Sequence, residues 1–171
     1  MRDWSSDVCS SDLCIAISVA AEISSASVLG LDISGGALAI AEENAALNKI
    51  TNVQFLQTDF LQFTPVEPVY DCLLMNPPYI PINEMDILMT EVRDYEPELA
   101  LTDHKDGLIF YKHLSNMAKK WVHSGGWLIM EVGLGEHPQN VSACFDINQF
   151  TNKELIADFN GDDRILKVNV I

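Results

Sequence analysis

The run Tyr-Asp-Cys-Leu-Leu-Met-Asn-Pro-Pro-Tyr-Ile, from Tyr70 to Ile80, constrains the fold more than any other stretch of this chain. Tyr70, Cys72, Leu73, Leu74 and Met75, interrupted only by Asp71, lead into Asn76-Pro77-Pro78-Tyr79. Such a run reads as a parallel strand buried on both faces and halted by two prolines. Open α/β sheets bind ligands beyond the C-terminal ends of their strands, so the tetrapeptide marks the expected site of chemistry.

Each residue type there has a physical task. Proline carries no N–H, and its ring fixes φ, so Pro77 and Pro78 hold nearby carbonyl groups rigidly and free of any ladder. Asn76 adds a side-chain carbonyl oxygen. A planar –NH₂ group entering the site can donate one hydrogen to Asn76 and the other to the Pro77 backbone, while Tyr79 covers its flat face. Two such acceptors draw electron density onto a poorly nucleophilic nitrogen and aim it, so catalysis rests on orientation and electrostatics, without a side-chain base. The plainer alternative is that Asn-Pro-Pro-Tyr only ends a strand with a turn.

Strands alternate with helices on either side, which predicts a doubly wound α/β sheet. From Cys14, the spacing of Ile15, Val19 and Ile23 predicts a helix. A strand is expected from Ser27 to Ile33, ending in Asp32, with Ser34 capping a helix from about Gly35 to Leu47. A carboxylate at such a strand end can accept from both ribose hydroxyls of a nucleotide cofactor, although Asp32 also suits a plain turn. Val53 to Gln57 reads as the next strand. At its end Asp59 can accept from an adenine amino group and Phe60 can stack on the ring; a surface acid and a core phenylalanine are the alternatives.

A proline-punctuated loop, Thr64 to Pro68, leads into the central strand. The acid-rich segment Pro81 to Lys105 reads as a lid or substrate loop, or as a solvated face. Leu108, Tyr111, Leu114, Ala118 and Trp121 predict an amphipathic helix stopped at Ser124-Gly125-Gly126. A strand from Trp127 to Val132 follows, and Lys153 to Phe159 pairs with Arg164 to Val170 across Asn160-Gly161-Asp162-Asp163.

With 171 residues, 48 percent of them hydrophobic, the chain suits one domain with a substantial core. Ten Lys and Arg against 25 Asp and Glu give a formal charge of −15, which disfavours a phosphate-contacting surface and favours a protein partner. The four cysteines and four histidines form no ligand-spaced cluster, so no metal is expected. No signal pattern or membrane-length apolar run occurs, and the reading is of a cytoplasmic monomer with reduced thiols.

From Cys14 to its end the chain resembles the catalytic domain of the HemK/PrmC family of release-factor glutamine methyltransferases. The resemblance is carried by Asp32-Ile33-Ser34, Thr58-Asp59-Phe60, Asn76-Pro77-Pro78-Tyr79-Ile80-Pro81, Glu91 to Pro97, Asp106-Gly107-Leu108, Glu131-Val132-Gly133, and Asp158 with Gly161 and Arg164. It implies a Rossmann-like class I sheet and S-adenosylmethionine as cofactor, held by Asp32, Asp59, Phe60 and Asn76. It implies Asn76, Pro77 and Tyr79 as catalytic residues. Asn76, Pro77, Pro78 and Tyr79 would bind the glutamine of a Gly-Gly-Gln loop in a peptide-chain release factor. Related alternatives are a ribosomal-protein glutamine, an exocyclic amine of nucleic acid, or a methyltransferase-like fragment that binds protein without catalysis.

Residues 1–13 fall outside the family pattern. Ser5-Ser6-Asp7 recurs as Ser10-Ser11-Asp12, and the tract resembles adapter-derived translations at the ends of fragmentary gene models. The expectation is therefore a domain over 14–171 that lacks its first strand, the Gly-rich loop after that strand, and the family's helical N-terminal domain. Such a loop brings backbone N–H groups close to the cofactor where a Cβ would collide.

Overall fold

A computed structural model describes the backbone of residues 3–8 and all atoms of 13–65 and 69–171. Seven strands form one sheet in the order β3-β2-β1-β4-β5-β7-β6. They span Asp3–Val8 (β1), Ser27–Asp32 (β2), Val53–Gln57 (β3), Tyr70–Met75 (β4), Val122–Glu131 (β5), Phe150–Ala157 (β6) and Asp163–Val170 (β7). The first five are parallel, and β7 runs antiparallel to both β5 and β6. The helices are α1 (Cys14–Glu22), α2 (Gly35–Leu47), α3 (Thr90–Arg93), α4 (Glu98–Leu101), α5 (Ile109–Trp121) and α6 (His137–Ala143), with a 3₁₀ turn at Ile82–Ile87. Helical crossovers between parallel neighbours bury the central strands, which is why β4 carries Cys72, Leu73 and Met75 fully inside.

The expectation that the first strand is missing requires correction. Asp3–Val8 occupies that place, lying along β2 from Asp3 opposite Ser27 to Val8 opposite Leu31. On its other side Asp7 and Val8 lie opposite Leu74 and Met75 of β4. The physical reason is the edge rule: without a strand between them, β2 and β4 would each expose a row of unpaired N–H and C=O groups. Residues 9–12, where a Gly-rich loop would fall, lie outside the described residues, as do 66–68 of the proline-punctuated loop.

Two apolar clusters hold the layers together. Leu13, Ala16, Ile17 and Ala20 meet Val28, Leu38 and Ala41, uniting α1, α2 and β2. A larger cluster joins Leu73 and Met75 to Tyr111, Leu114 and Trp121 of α5, Leu128 and Met130 of β5, and Leu166 and Val168 of β7. The buried face of α1 is Ala16, Ile17 and Ala20 rather than the expected Ile15, Val19 and Ile23. Small residues let the helix approach the sheet closely, and the larger neighbours sit at the margin.

Ser124-Gly125-Gly126 does not stop a helix but lies inside the irregular start of β5. Tyr70 stands opposite Val122, and Cys72 already stands opposite Trp127, so β5 bulges here. Gly125 takes φ +87°, and a Cβ on Gly126 would come 2.7 Å from the Asp71 carbonyl oxygen. Glycine is required at this crowded crossing.

Candidate active site

The ends of β2, β3 and β4 converge on one pocket of about 450 Å³, whose lining includes Asp32, Ser34, Asp59, Phe60, Asn76 and Pro78. At the β2 end, Ser34 caps α2: its Oγ accepts from the Ala37 N–H at 3.2 Å. Asp32 Oδ1 accepts from the Ser34 N–H at 2.7 Å, which fixes the carboxylate against the turn. Only 8% of Asp32 is exposed, and its Oδ2 has no hydrogen bond among the described residues. Burial pushes the Asp32 carboxyl above the ordinary range, against the pull of the Ser34 and Ile33 N–H groups. An acceptor is thus held at the pocket wall with one oxygen that has no hydrogen-bond partner among the described residues.

At the β3 end, Asp59 Oδ1 accepts from the Leu61 N–H at 2.9 Å, so its carboxylate shapes the turn as well as bordering the pocket. Phe60 borders the same space but is anchored in the core. Its ring meets Trp121 edge-on at 5.0 Å and His113 at 5.7 Å. Phe60 is therefore a core residue that also borders the pocket.

At the β4 end, Asn76 is half-buried and its side-chain amide makes no hydrogen bond among the described residues. Pro77 and Pro78 are buried, and Pro78 lines the pocket. Pro77 and Tyr79 do not line it. Instead the Tyr79 hydroxyl donates to Glu131 Oε1 at 3.0 Å and accepts from Arg164 Nη2 at 3.1 Å. Arg164 also donates to the same Glu131 oxygen at 2.9 Å. Burial, followed by the nearby Glu131 charge, raises the Tyr79 hydroxyl above its usual range, so it stays protonated and serves as an anchor.

A second contact braces the other side of the tyrosine. The His137 ring lies 5.8 Å from that of Tyr79. His137 Nδ1 accepts from the Gly133 N–H at 2.9 Å, so Nε2 carries the proton and donates to the Gly107 carbonyl at 3.2 Å. Burial lowers the affinity of this imidazole for a second proton, in agreement with the neutral form that these two bonds require. Gly107, at φ +76°, has its Cα directly against the Tyr79 carbonyl oxygen, where a Cβ would collide. Glu131, Arg164 and His137 come from the end of β5, the start of β7 and the start of α6. Sequence reading gave them no role; the available signal was an acid and an arginine standing at the ends of strands.

The segment after Tyr79 borders the pocket at its C-terminal part and is exposed along much of the rest. Pro97, Leu99 and Ala100 line the pocket together with Ile33 and Ile40. The Ile80 N–H donates to the Leu101 carbonyl at 2.9 Å and that of Ile82 to the Lys105 carbonyl at 3.0 Å, tying both ends of the segment to the motif. Asp103 fixes the return by accepting from the N–H groups of Lys105, Gly107 and Ile109.

Five parallel strands completed by an antiparallel hairpin, with an acid at the end of β2 and Asn-Pro-Pro-Tyr at the end of β4, define a class I methyltransferase-type protein of Rossmann-like fold. Solved structures of this fold superpose on the whole chain: TrmN from Thermus thermophilus (TM-score 0.68, 16% identity, 44% of that chain) and a SAM dependent methyltransferase from Aquifex aeolicus (TM-score 0.66, 9% identity, 82% of that chain). The chain belongs to the Methyltransferase domain family, which matches residues 10–151. It is 39% identical over 160 residues to a release factor glutamine methyltransferase of Fusobacterium nucleatum, a match covering 94% of this chain and 45% of the relative. A protein of the same name in Thermodesulfovibrio yellowstonii is 34% identical over 163 residues, covering 94% of this chain and 57% of the relative. The chain thus spans about half the length of the curated relatives it matches, and these relatives bear out the resemblance seen in the motif residues.

Proposed function

We propose that this chain is the catalytic part of a protein-glutamine N-methyltransferase, which methylates the side-chain amide of the glutamine in a release factor's Gly-Gly-Gln loop. The observation that carries this reading is the Asn76 amide at the pocket wall, without a hydrogen bond among the described residues and held at the end of a buried strand by two buried prolines. S-adenosylmethionine, when bound, supplies an electrophilic methyl group on a positively charged sulfur. The residues present fit it: Asp32 offers ribose hydroxyls a carboxylate oxygen that has no partner among the described residues, and Ile33, Ile40, Leu99 and Phe110 give an apolar slot for a flat base. Asn76 and the Pro77 carbonyl accept the two amide hydrogens, raise the nitrogen's electron density and orient it. The new nitrogen–carbon bond would form as the methyl–sulfur bond breaks, the bonding pair leaving on the sulfur and neutralising its charge; one N–H proton would pass to solvent, and the product keeps the other N–H.

The names of the curated relatives support a release factor as acceptor, and the formal charge of −15 speaks against a nucleic-acid acceptor. The discriminating experiment offers labelled S-adenosylmethionine with a release factor, with total ribosomal protein and with an adenine-bearing oligonucleotide in parallel. Label on the release factor alone is the expected result; label on either of the others in its place overturns the assignment.

A further inference from the structure

We propose that Ile82 to Leu101 forms a docking surface for a stretch carrying Lys or Arg beside apolar side chains, on the same polypeptide that presents the acceptor glutamine. The inference rests on the glutamine reading and names what recognises the protein around that residue.

Large apolar side chains stand in water along this segment: Ile87 is 79% exposed, Met89 70%, Tyr95 84% and Leu99 65%. Exposed apolar residues concentrated on one segment, one of which, Leu99, lines the pocket, are a feature of interaction sites. Around them are six exposed acids, Glu84, Asp86, Glu91, Asp94, Glu96 and Glu98. The one cation among residues 82–101, Arg93, is already engaged, with its Nε 2.8 Å from Asp94. Glu98 faces His104 at 3.5 Å. Glu84, Asp86, Glu91 and Glu96 form no ion pair among the described residues. The surface therefore offers apolar side chains with an acidic rim in which four of the six acids form no ion pair among the described residues.

That combination selects the partner. A lysine or arginine lays its aliphatic stem on apolar surface and its charge against carboxylates, and an arginine can also lie over the Tyr95 ring. Nucleic acid would be repelled by the same rim. The surface is also fixed relative to the chemistry: Leu99 belongs to the pocket wall, and the segment is tied at both ends to residues following Tyr79. Leu99 and Asn76 line one pocket, so the end of this surface adjoins the place proposed for the acceptor.

The test uses two short Gly-Gly-Gln peptides, one flanked by lysine and leucine and one by serine, with binding read by fluorescence anisotropy and methylation read separately. The lysine-leucine peptide is expected to bind about tenfold more tightly at low salt, a preference that shrinks at high salt. In Glu84→Lys/Glu91→Lys the preference falls to near unity, and in Met89→Ser/Tyr95→Ser it falls severalfold. A control, Glu22→Lys/Glu43→Lys, changes net charge equally on exposed faces of α1 and α2 and keeps the preference. Equal binding of the two peptides, no binding of either, or equal loss in the control overturns the docking surface. Selective binding without methylation of either peptide overturns the glutamine reading and leaves the docking surface standing.

Discussion

Asn76 and Asp32 stand at the ends of two strands of one sheet and line the same pocket, each with a hydrogen-bonding group that has no partner among the described residues. Their substitutions should therefore separate chemistry from cofactor binding. Asn76→Ala is expected to lower kcat by about 10²- to 10³-fold, the usual effect of deleting one preorganised hydrogen bond to the reacting group. Cofactor affinity and the melting temperature should move little, which calorimetry and thermal unfolding check. Asp32→Ala should weaken cofactor binding by about 1–3 kcal/mol.

On the proposed ribose contact, Asp32 should also make cofactor binding pH-dependent. Burial raises its pKa, and ribose hydroxyls need the ionised form. Affinity is then full above the raised pKa and falls as pH drops through it, starting at higher pH than an ordinary aspartate would give. Asp32→Asn should flatten that dependence in titrations across the acid range. At this scale much was legible in sequence, because strand-end position and residue type fixed Asp32, Ser34 and Asn76 locally. The anchors of Tyr79 were not legible: Glu131 is 52 residues away and Arg164 is 85, and no local pattern encodes such a contact.

Among the elements, the β4 end is held by the ends of its neighbours. β5 supplies Glu131, β7 supplies Arg164 and the start of α6 supplies His137, and together they set the plane of the Tyr79 ring. Glu131→Ala leaves Arg164 and the Tyr79 hydroxyl without their shared acceptor, and should lower stability by about 1–3 kcal/mol. The loosened ring should lower kcat by about tenfold or more, because small misplacements of a positioned group have large effects on rate. Cofactor affinity should hold, and Glu131→Gln should restore part of kcat by keeping an acceptor; equal kcat in Glu131→Ala and the parent would remove the positioning role.

Element boundaries divided along the same physical line. Helix α2 begins after Ser34 as read, because capping is local chemistry. The start of β5 and the buried face of α1 were misread, because a bulge beside Asp71 and the packing of Ala16 and Ala20 depend on neighbours distant in sequence.

Over the whole molecule, β1 is the element whose sequence least suits its place. It lies inside the sheet, between β2 and β4, yet reads Asp-Trp-Ser-Ser-Asp-Val and leads to Leu13, a non-glycine residue at φ 50°. An interior parallel strand usually carries apolar residues on both faces, and a left-handed leucine adds strain of about 1 kcal/mol or more. Replacing residues 3–13 by an apolar strand and a Gly-rich loop is therefore expected to raise the thermal midpoint by several degrees and to enlarge the shift caused by S-adenosylmethionine. Equal midpoints and equal shifts would show the present tract to be a competent first strand. The account as a whole depends most on where the methyl group goes. Mass spectrometry of a release factor incubated with S-adenosylmethionine and either this chain or its Asn76→Ala variant tests that directly. The expected result is one methyl group on the side-chain amide of the Gly-Gly-Gln glutamine, present with the parent chain and lost with the variant; methylation at another residue, or equal methylation by both chains, would contradict it.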